Sequence, residues 1–459
     1  MMRVATTLLS PEEMGRVSLV LTTIAFFAMF LINPVGMFIN RRLHAWQAGG
    51  MAQYYFIRYV FYLLLSAFVA AFLLRLLYIS GSINFGVSFS WLTFLLCGSL
   101  VFNTINQTAI PSLNLLGDSR HFMLLSVCTV AMSLSCATLL VIVLEPVAQY
   151  WVSGILLGQA ILALVGARAL FTKLRRVRAQ VSASIQKRHL LVLFHFAWPV
   201  SIAAGLGWIQ GQGYRYLIEG SLGFAELGLF VAGYGISAGM IAGFESVLTT
   251  YFQPRLYRGV SKSDPVRQAE AWQRYAATVI PSLILTVALV VVLAPELTRV
   301  LLGENFQSAV DYVLWGALAE AARVLMGVYS LIAYVFMRTR WLILPNLVGA
   351  FLAITLTALF IPGFGTAGVG MGLVLSGFTI VILMHIFLVK RVGGGPRVRP
   401  VLIAGGGGLA LWTMTFGFRH LLHIPGWQGA LGILVIAGTT YSGLQYLFLR
   451  KHLTNRVGE

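Results

Sequence analysis

Apolar runs of about 20 residues, the length that crosses a bilayer, recur along almost the whole chain. Short gaps holding charge, Gly or Pro separate them. The pattern predicts thirteen membrane-spanning helices, at roughly 15–39, 54–78, 87–110, 121–144, 150–171, 191–217, 224–252, 275–301, 309–336, 341–361, 367–389, 400–420 and 427–448. The largest basic interruption is 173–190, KLRRVRAQVSASIQKRHL, which splits the chain into two membrane-embedded parts. The first run is too long for the core of a cleaved signal peptide and is followed, not preceded, by its strongest positive cluster, so it reads as a mature span.

Composition agrees with this pattern. With 58% hydrophobic and 10% charged residues in 459, the chain lacks the polar surface of a soluble fold of its size. A net charge of +18 would suit a nucleic-acid partner only if the basic residues formed one soluble face, and here they occupy the gaps between apolar runs. No nucleic acid is expected. Twenty-four Lys and Arg fall on one side of the predicted topology and five on the other. Because cationic loops resist translocation, this asymmetry predicts a cytoplasmic C-terminus and an external N-terminal tail. Cys97, Cys128 and Cys136 lie inside apolar runs without paired spacing or a neighbouring His, so neither a disulfide framework nor a metal site is indicated.

The chain also repeats itself. At an offset of 213 residues, Glu13 of PEEMG matches Glu226 of FAELG, Gly15 matches Gly228, and Arg42 and Leu43 match Arg255 and Leu256. Two anchors at one offset indicate duplicated halves of the same hand, the arrangement of transporters whose repeats are related by an axis along the membrane normal. The expected organisation is an N-terminal lobe over 1–172 with about five helices, a basic cytoplasmic crossover over 173–190, a six-helix C-terminal lobe over 191–392, and two further helices with a cytoplasmic tail over 393–459. A full helix precedes FAELG but only ten residues precede PEEMG, so the first member of the first repeat is expected to be truncated.

LLSPEEMG entering a helix that ends NRRLHAW, FAWP, ELTRVLLGENF, and LFIPGFGTAGVGMG stand in an order and spacing that resembles the Wzx-type polysaccharide flippases. These belong to the multidrug/oligosaccharidyl-lipid/polysaccharide (MOP) exporter superfamily. The resemblance implies an all-α polytopic membrane protein with two six-helix lobes around a central cavity. It further implies a bacterial inner-membrane location and alternating access that carries a polyprenyl-diphosphate-linked oligosaccharide between leaflets. Membrane lipids, a polysaccharide polymerase and export components would be its partners. The chain departs from that pattern at its start, where the resemblance implies a complete first helix.

Charges inside spans cost on the order of 3 kcal/mol by insertion scales, so they mark partners or wet cavities. Glu320 and Arg323 lie on one face of the ninth predicted helix with Gly316, Gly327, Ser330 and Tyr334. Arg323 either meets a diphosphate or acidic sugar or forms an internal ion pair with Glu320. The sixth predicted helix carries GLGWIQGQGYR after Pro199; its glycines predict a kink or partly unwound stretch. Trp208, Gln212 and Arg215 share a face there, giving either a head-group site, with Trp208, Tyr214 and Tyr216 on sugar rings, or an Arg215 that reaches outward to Glu219.

Glu245 is a candidate for ion coupling, with Glu320, or for pairing with a basic residue. Arg42 could attract a diphosphate at the cytoplasmic mouth or act as a topology signal. Ser99, Asn103, Asn106 and Gln107 form a neutral polar stripe suited to interhelical hydrogen bonds. The glycine runs at 394–396 and 405–408 lack the GKS/T ending of a phosphate loop. No Walker motif, soluble domain or cofactor motif is present, so no enzyme activity or cofactor is expected. The competing classes are a cation-coupled drug or metabolite exporter and a membrane glycosyltransferase or polysaccharide polymerase.

Overall fold

A computed structural model describes residues 1–81, 85–174, 183–260, 265–336, 338–390, 394–396, 398–421 and 427–454. Among them every regular element is a helix. The chain forms two compact units, residues 3–228 and 229–459. The boundary after Gly228 leaves the sixth predicted span with the first unit.

The first unit begins with a short helix, α1 (Met2–Leu8), and then α2 (Pro11–Phe27). Ser10 caps α2 by accepting from the Glu13 backbone N–H at 3.3 Å, with Pro11 in the first turn and Glu12 and Glu13 favouring the positive end of the helix. The capping-box spacing of Ser10 and Glu13 would send the Glu13 carboxylate back to its own cap. Instead it accepts from Arg16 at 2.6 Å and from the backbone N–H of Ala148, also at 2.6 Å. The conspicuous Glu of PEEMG therefore satisfies an orphan donor at the start of a second helix.

α2 leads through a π turn, Ala28–Ile32, into α3 (Asn33–Ala48), whose first turn holds Pro34. A proline that cannot donate explains the widened turn just before it. Next come α4 (Ala52–Ile79), α5 (Phe89–Leu115), α6 (Ser119–Val143) and α7 (Ala148–Lys173). α4 exposes Phe61, Phe68 and Phe72, as a lipid-facing helix must. α6 and α7 meet through Gly154 and Gly158, four residues apart, where an added Cβ would stand 2.3 Å from Ala137 Cα and 2.5 Å from Ser133 Cα. In lipid, close backbone approach through small residues replaces the hydrophobic drive between helices. Asn106 of α5 donates to Gln159 O of α7 at 2.8 Å, the interhelical bond its stripe suggested.

α8 (Ala183–Gln212) and α9 (Tyr214–Leu222) form the sixth predicted span. The expected unwinding is absent. The backbone stays helical through Gly205, Gly207 and Gly211, and the interruption is confined to Gly213, whose φ of −61° and ψ of −29° are themselves helical. Propensity alone misleads here, because packing overrides the weak helix preference of isolated glycines. Residues 175–182 of the basic island lie outside the described residues.

α10 (Phe224–Val260) leads into the second unit, which contains α11 (Pro265–Val292), α12 (Ala294–Leu301), α13 (Val310–Val335) and α14 (Ile343–Met384). It ends with α15 (Val398–Leu421) and α16 (Trp427–Thr454). Trp272 of α11 is fully buried and donates its indole N–H to Val328 O of α13 at 2.9 Å. Gly407 and Gly408 of α15 lie against Leu285 and Ala288 of α11, which gives that glycine run its packing role.

α14 folds back on itself. Gly365 adopts φ 57°, open to glycine at little cost, and beyond it the two arms lie so close that a Cβ on Gly368 would meet Phe360 O at 2.4 Å and one on Gly372 would meet Thr357 N at 2.7 Å. Among the described residues, eleven helical stretches are long and apolar enough to span, so this is a multi-pass membrane protein. One of the eleven, Arg340–Val389, is this 50-residue hairpin. It corresponds to the tenth and eleventh predicted spans.

Candidate functional site

In the first unit the decisive contact is between Arg215 and Thr22. Arg215 Nη1 donates to Thr22 Oγ1 at 2.6 Å, and Trp208 Nε1 donates to Thr22 O at 3.2 Å. The Thr23 and Tyr216 hydroxyls are 2.8 Å apart. α2 thus supplies two adjacent threonines to three side chains of α8 and α9. The reach of Arg215 toward Glu219 is not what the structure shows: the guanidinium turns across to α2. Among the described residues no carboxylate pairs with it, so a half-buried positive charge stands inside a span.

The neighbouring groups extend that site. Gln212 Oε1 is buried and accepts no hydrogen bond among the described residues. Trp208 is 8% exposed and packed edge-on against Phe26 at 4.9 Å, and Tyr214 is buried beneath the Arg215 guanidinium at 5.8 Å. Their rings form protein wall, whereas Tyr216, Gln212 and Arg215 keep part of their surface open. Arg42 is not brought to this group. It is exposed at the end of α3, over the Phe38 ring at 5.8 Å. Twenty residues separate it from Thr22 along the run of α2, the π turn and α3, about 30 Å of helix.

In the second unit the polar stripe of α13 faces α10. A Cβ on Gly316 would lie 2.9 Å from Tyr234 Cα, and one on Gly327 would lie 3.9 Å from Glu245 Oε1. Between these two glycines, Arg323 Nε donates to Glu320 Oε2 at 2.6 Å and Arg323 Nη2 donates to Glu245 Oε2 at 2.7 Å. Tyr234 completes the group by donating to Glu320 Oε1 at 2.8 Å. Glu320 is 7% exposed and has both oxygens occupied, while the side chains of Arg323 and Glu245 are 44% and 26% exposed. Two carboxylates about one guanidinium give the cluster one excess negative charge when all are ionised. The sequence found Glu320 and Arg323 together through their spacing; it did not show that Glu245 joins them.

Two other polar contacts escaped the sequence. Arg419 of α15 grips buried Glu296 of α12 through Nε at 2.8 Å and Nη2 at 2.6 Å. The only available signal was that both lie at the sparsely charged ends of their spans. At the opposite, basic ends, Asp118 caps α6 and pairs with Lys173 and His121.

The sequence profile of the polysaccharide biosynthesis protein family matches residues 4–311 of this chain. The chain belongs to that family. A search of curated proteins finds no significant match. Among solved structures, this polysaccharide biosynthesis protein is similar to an inward-facing multidrug resistance MATE family transporter of the MOP superfamily. The TM-score is 0.67 at 17% identity, over 85% of this chain and 92% of the other. It is also similar to the lipid II flippase MurJ in an inward closed conformation, with a TM-score of 0.57 at 12% identity, over 96% and 98% of the two chains. Likeness at such identities establishes that the chain shares the fold of these two transporters, which is consistent with the Wzx-type resemblance.

Proposed function

We propose that this chain is a flippase, a non-enzymatic transporter that moves a polyprenyl-diphosphate-linked oligosaccharide across the inner membrane by alternating access. The observation that carries the reading is the unneutralised guanidinium of Arg215. A cation held inside a span by neutral hydroxyls, those of Thr22 at 2.6 Å and Tyr214 at 3.4 Å, retains donors for a further acceptor, and a diphosphate supplies paired oxygens that suit a guanidinium fork. Gln212 beside it offers an unpaired carbonyl oxygen to a sugar hydroxyl. The family match and the likeness to transporter structures support the same class.

The Arg323 cluster supports ion coupling as the source of direction, because its excess carboxylate is suited to take up a proton or a cation. The C-terminus and the basic loops lie in the cytoplasm on this reading.

The test is transfer in liposomes. Purified protein without ATP should bring a lipid-linked oligosaccharide within reach of an impermeant glycan-labelling reagent. Growth of the glycan chain instead would identify a polymerase. Transfer of small lipophilic cations but not of the glycan lipid would identify a drug exporter.

A further inference from the structure

Arg215 and Glu219 are opposite charges one helical turn apart on α9, and each stands without the other. Positions four apart on a helix are neighbours, with Cβ atoms about 6 Å apart, within reach of a guanidinium and a carboxylate. Instead Arg215 is given to neutral hydroxyls, that of Thr22 on α2 at 2.6 Å and that of Tyr214 at 3.4 Å. The Glu219 side chain, half-buried near the end of the same helix, makes no ion pair or hydrogen bond among the described residues.

Two half-buried charges of opposite sign left unpaired inside a span are a costly arrangement, so a third group must hold them apart. Thr22 does this. It is 1% exposed, fixed in the wall of α2, and its hydroxyl draws the guanidinium across to that helix. The way back to Glu219 is open. Positions 211, 215 and 219 follow at intervals of four on one helix face, and a Cβ on Gly211 or Gly220 would meet open space.

The grip is also releasable. α2 holds α8 and α9 here through the Thr22 and Thr23 hydroxyls and the Thr22 carbonyl, neutral bonds that a helix shift breaks without stranding a carboxylate. Each partner lies beside an interruption of its own helix: the π turn begins six residues after Thr22, and Gly213 precedes Arg215 by two. Breaks of this kind are frequent at functional sites and are where helices change direction.

We infer that Glu219 is a second partner for Arg215, kept off by Thr22 in this conformation and engaged when α2 shifts, so that its carboxylate displaces the head group from the guanidinium. Thr22 then sets the affinity of the site. With the arginine held on α2 the site is open to an anion, and with the arginine on Glu219 it is closed; apparent affinity follows the fraction of protein in the open arrangement. The inference rests on the flippase reading for the identity of the anion as a diphosphate, and it adds how the protein lets go of it.

The experiment compares the native full-length protein in nanodiscs with Glu219→Gln, Thr22→Val and the double variant. Melting without ligand reads the pair itself. In the Thr22→Val background Arg215 rests on Glu219, so adding Glu219→Gln should lower the melting temperature by about 2 °C or more; where Thr22 holds the arginine, Glu219→Gln should not lower it. An equal loss in both backgrounds, or none in either, overturns the inference. Binding of farnesyl diphosphate reads the consequence: Thr22→Val should weaken it about fivefold or more, and adding Glu219→Gln should bring it back to within about twofold of native. A loss that Glu219→Gln does not restore would make Thr22 a direct contact of the head group and overturns the inference. So does a gain from Glu219→Gln as large in the native background as in Thr22→Val, since that is the general effect of removing a negative charge. Thr22→Ser keeps the hydroxyl and should behave as native in both assays, and Thr22→Ala gives the same comparison where Thr22→Val does not assemble. Failure of the native protein to bind farnesyl diphosphate would overturn the head-group assignment and not this pair, because the melting comparison contains no ligand.

Discussion

Gly15 and Gly228, which the 213-residue offset pairs in sequence, approach each other's helices reciprocally. A Cβ on Gly15 would stand 2.0 Å from Phe224 O, and one on Gly228 would stand 1.8 Å from Pro11 O. Pro11 and Phe224 are themselves separated by 213 residues. The contact is therefore self-complementary, each repeat offering the same glycine to the same carbonyl of the other. A second match lies at the far end of these helices: Arg42 stands over Phe38 and Arg255 over Tyr251, again at the common offset. The sequence repeat is thus a repeat of contacts.

A crossing this close forbids a side chain at either glycine. Gly15→Ala and Gly228→Ala should each lower thermal stability in detergent by similar amounts, on the order of 1–3 kcal/mol or more. Gly207→Ala and Gly211→Ala meet open space and should be neutral or stabilising, by up to about 1 kcal/mol. Thermal unfolding of the four variants, followed by tryptophan fluorescence, separates the two classes.

Removing Arg323 should be felt first as lost stability. Arg323→Ala leaves the buried Glu320 carboxylate with Tyr234 alone, and uncompensated buried charge costs on the order of 3 kcal/mol. Arg323→Ala combined with Glu320→Gln removes that charge and should recover most of the melting temperature. If Arg323 also meets substrate, transfer by the double variant stays low despite its recovered fold. Full transfer by the double variant would reduce Arg323 to a structural partner.

The Asp118 cluster gives a pH dependence with a definite sign. Lys173 first, then His121, holds the Asp118 carboxyl well below the usual carboxylate range. A carboxyl whose pKa is lower in the folded state contributes stability above its unfolded value of about 3.9 and loses it as pH falls below that. Asp118→Asn keeps a capping side chain but not the charge. Its melting temperature should fall short of the native protein's at pH 7, and the gap should close as pH drops below about 4. A constant gap across pH 3–7 would assign the effect to the cap alone.

Much of this was legible in the sequence, for reasons that particular residues make clear. Spans are specified by local runs of apolar residues, because lipid leaves the backbone no alternative partners, so the places of most of them, and the gap between the tenth and eleventh that the Gly365 turn occupies, could be read from a one-dimensional pattern. The Glu320–Arg323 pair was legible because its members lie three residues apart on one helix. Glu245 and Arg323 lie 78 residues apart, Thr22 and Arg215 193 apart, and nothing local encodes which face of one span meets which face of another. The same limit hid Glu13 on Ala148 N. The glycines of α8 misled in the other direction, since a tendency to unwind is weak and packing decided against it.

The central claim is that an arginine inside a span, held by Thr22 and left without a carboxylate, receives the diphosphate of a lipid-linked glycan. Its most direct test is the rate at which Arg215→Ala transfers a polyprenyl-diphosphate-linked oligosaccharide between leaflets of a liposome, beside Arg215→Lys and the native protein at matched incorporation. The account predicts transfer by the native protein, at least a tenfold loss in Arg215→Ala, and partial recovery in Arg215→Lys, which keeps the charge but not the fork. Native-rate transfer by a stably folded Arg215→Ala variant would contradict it.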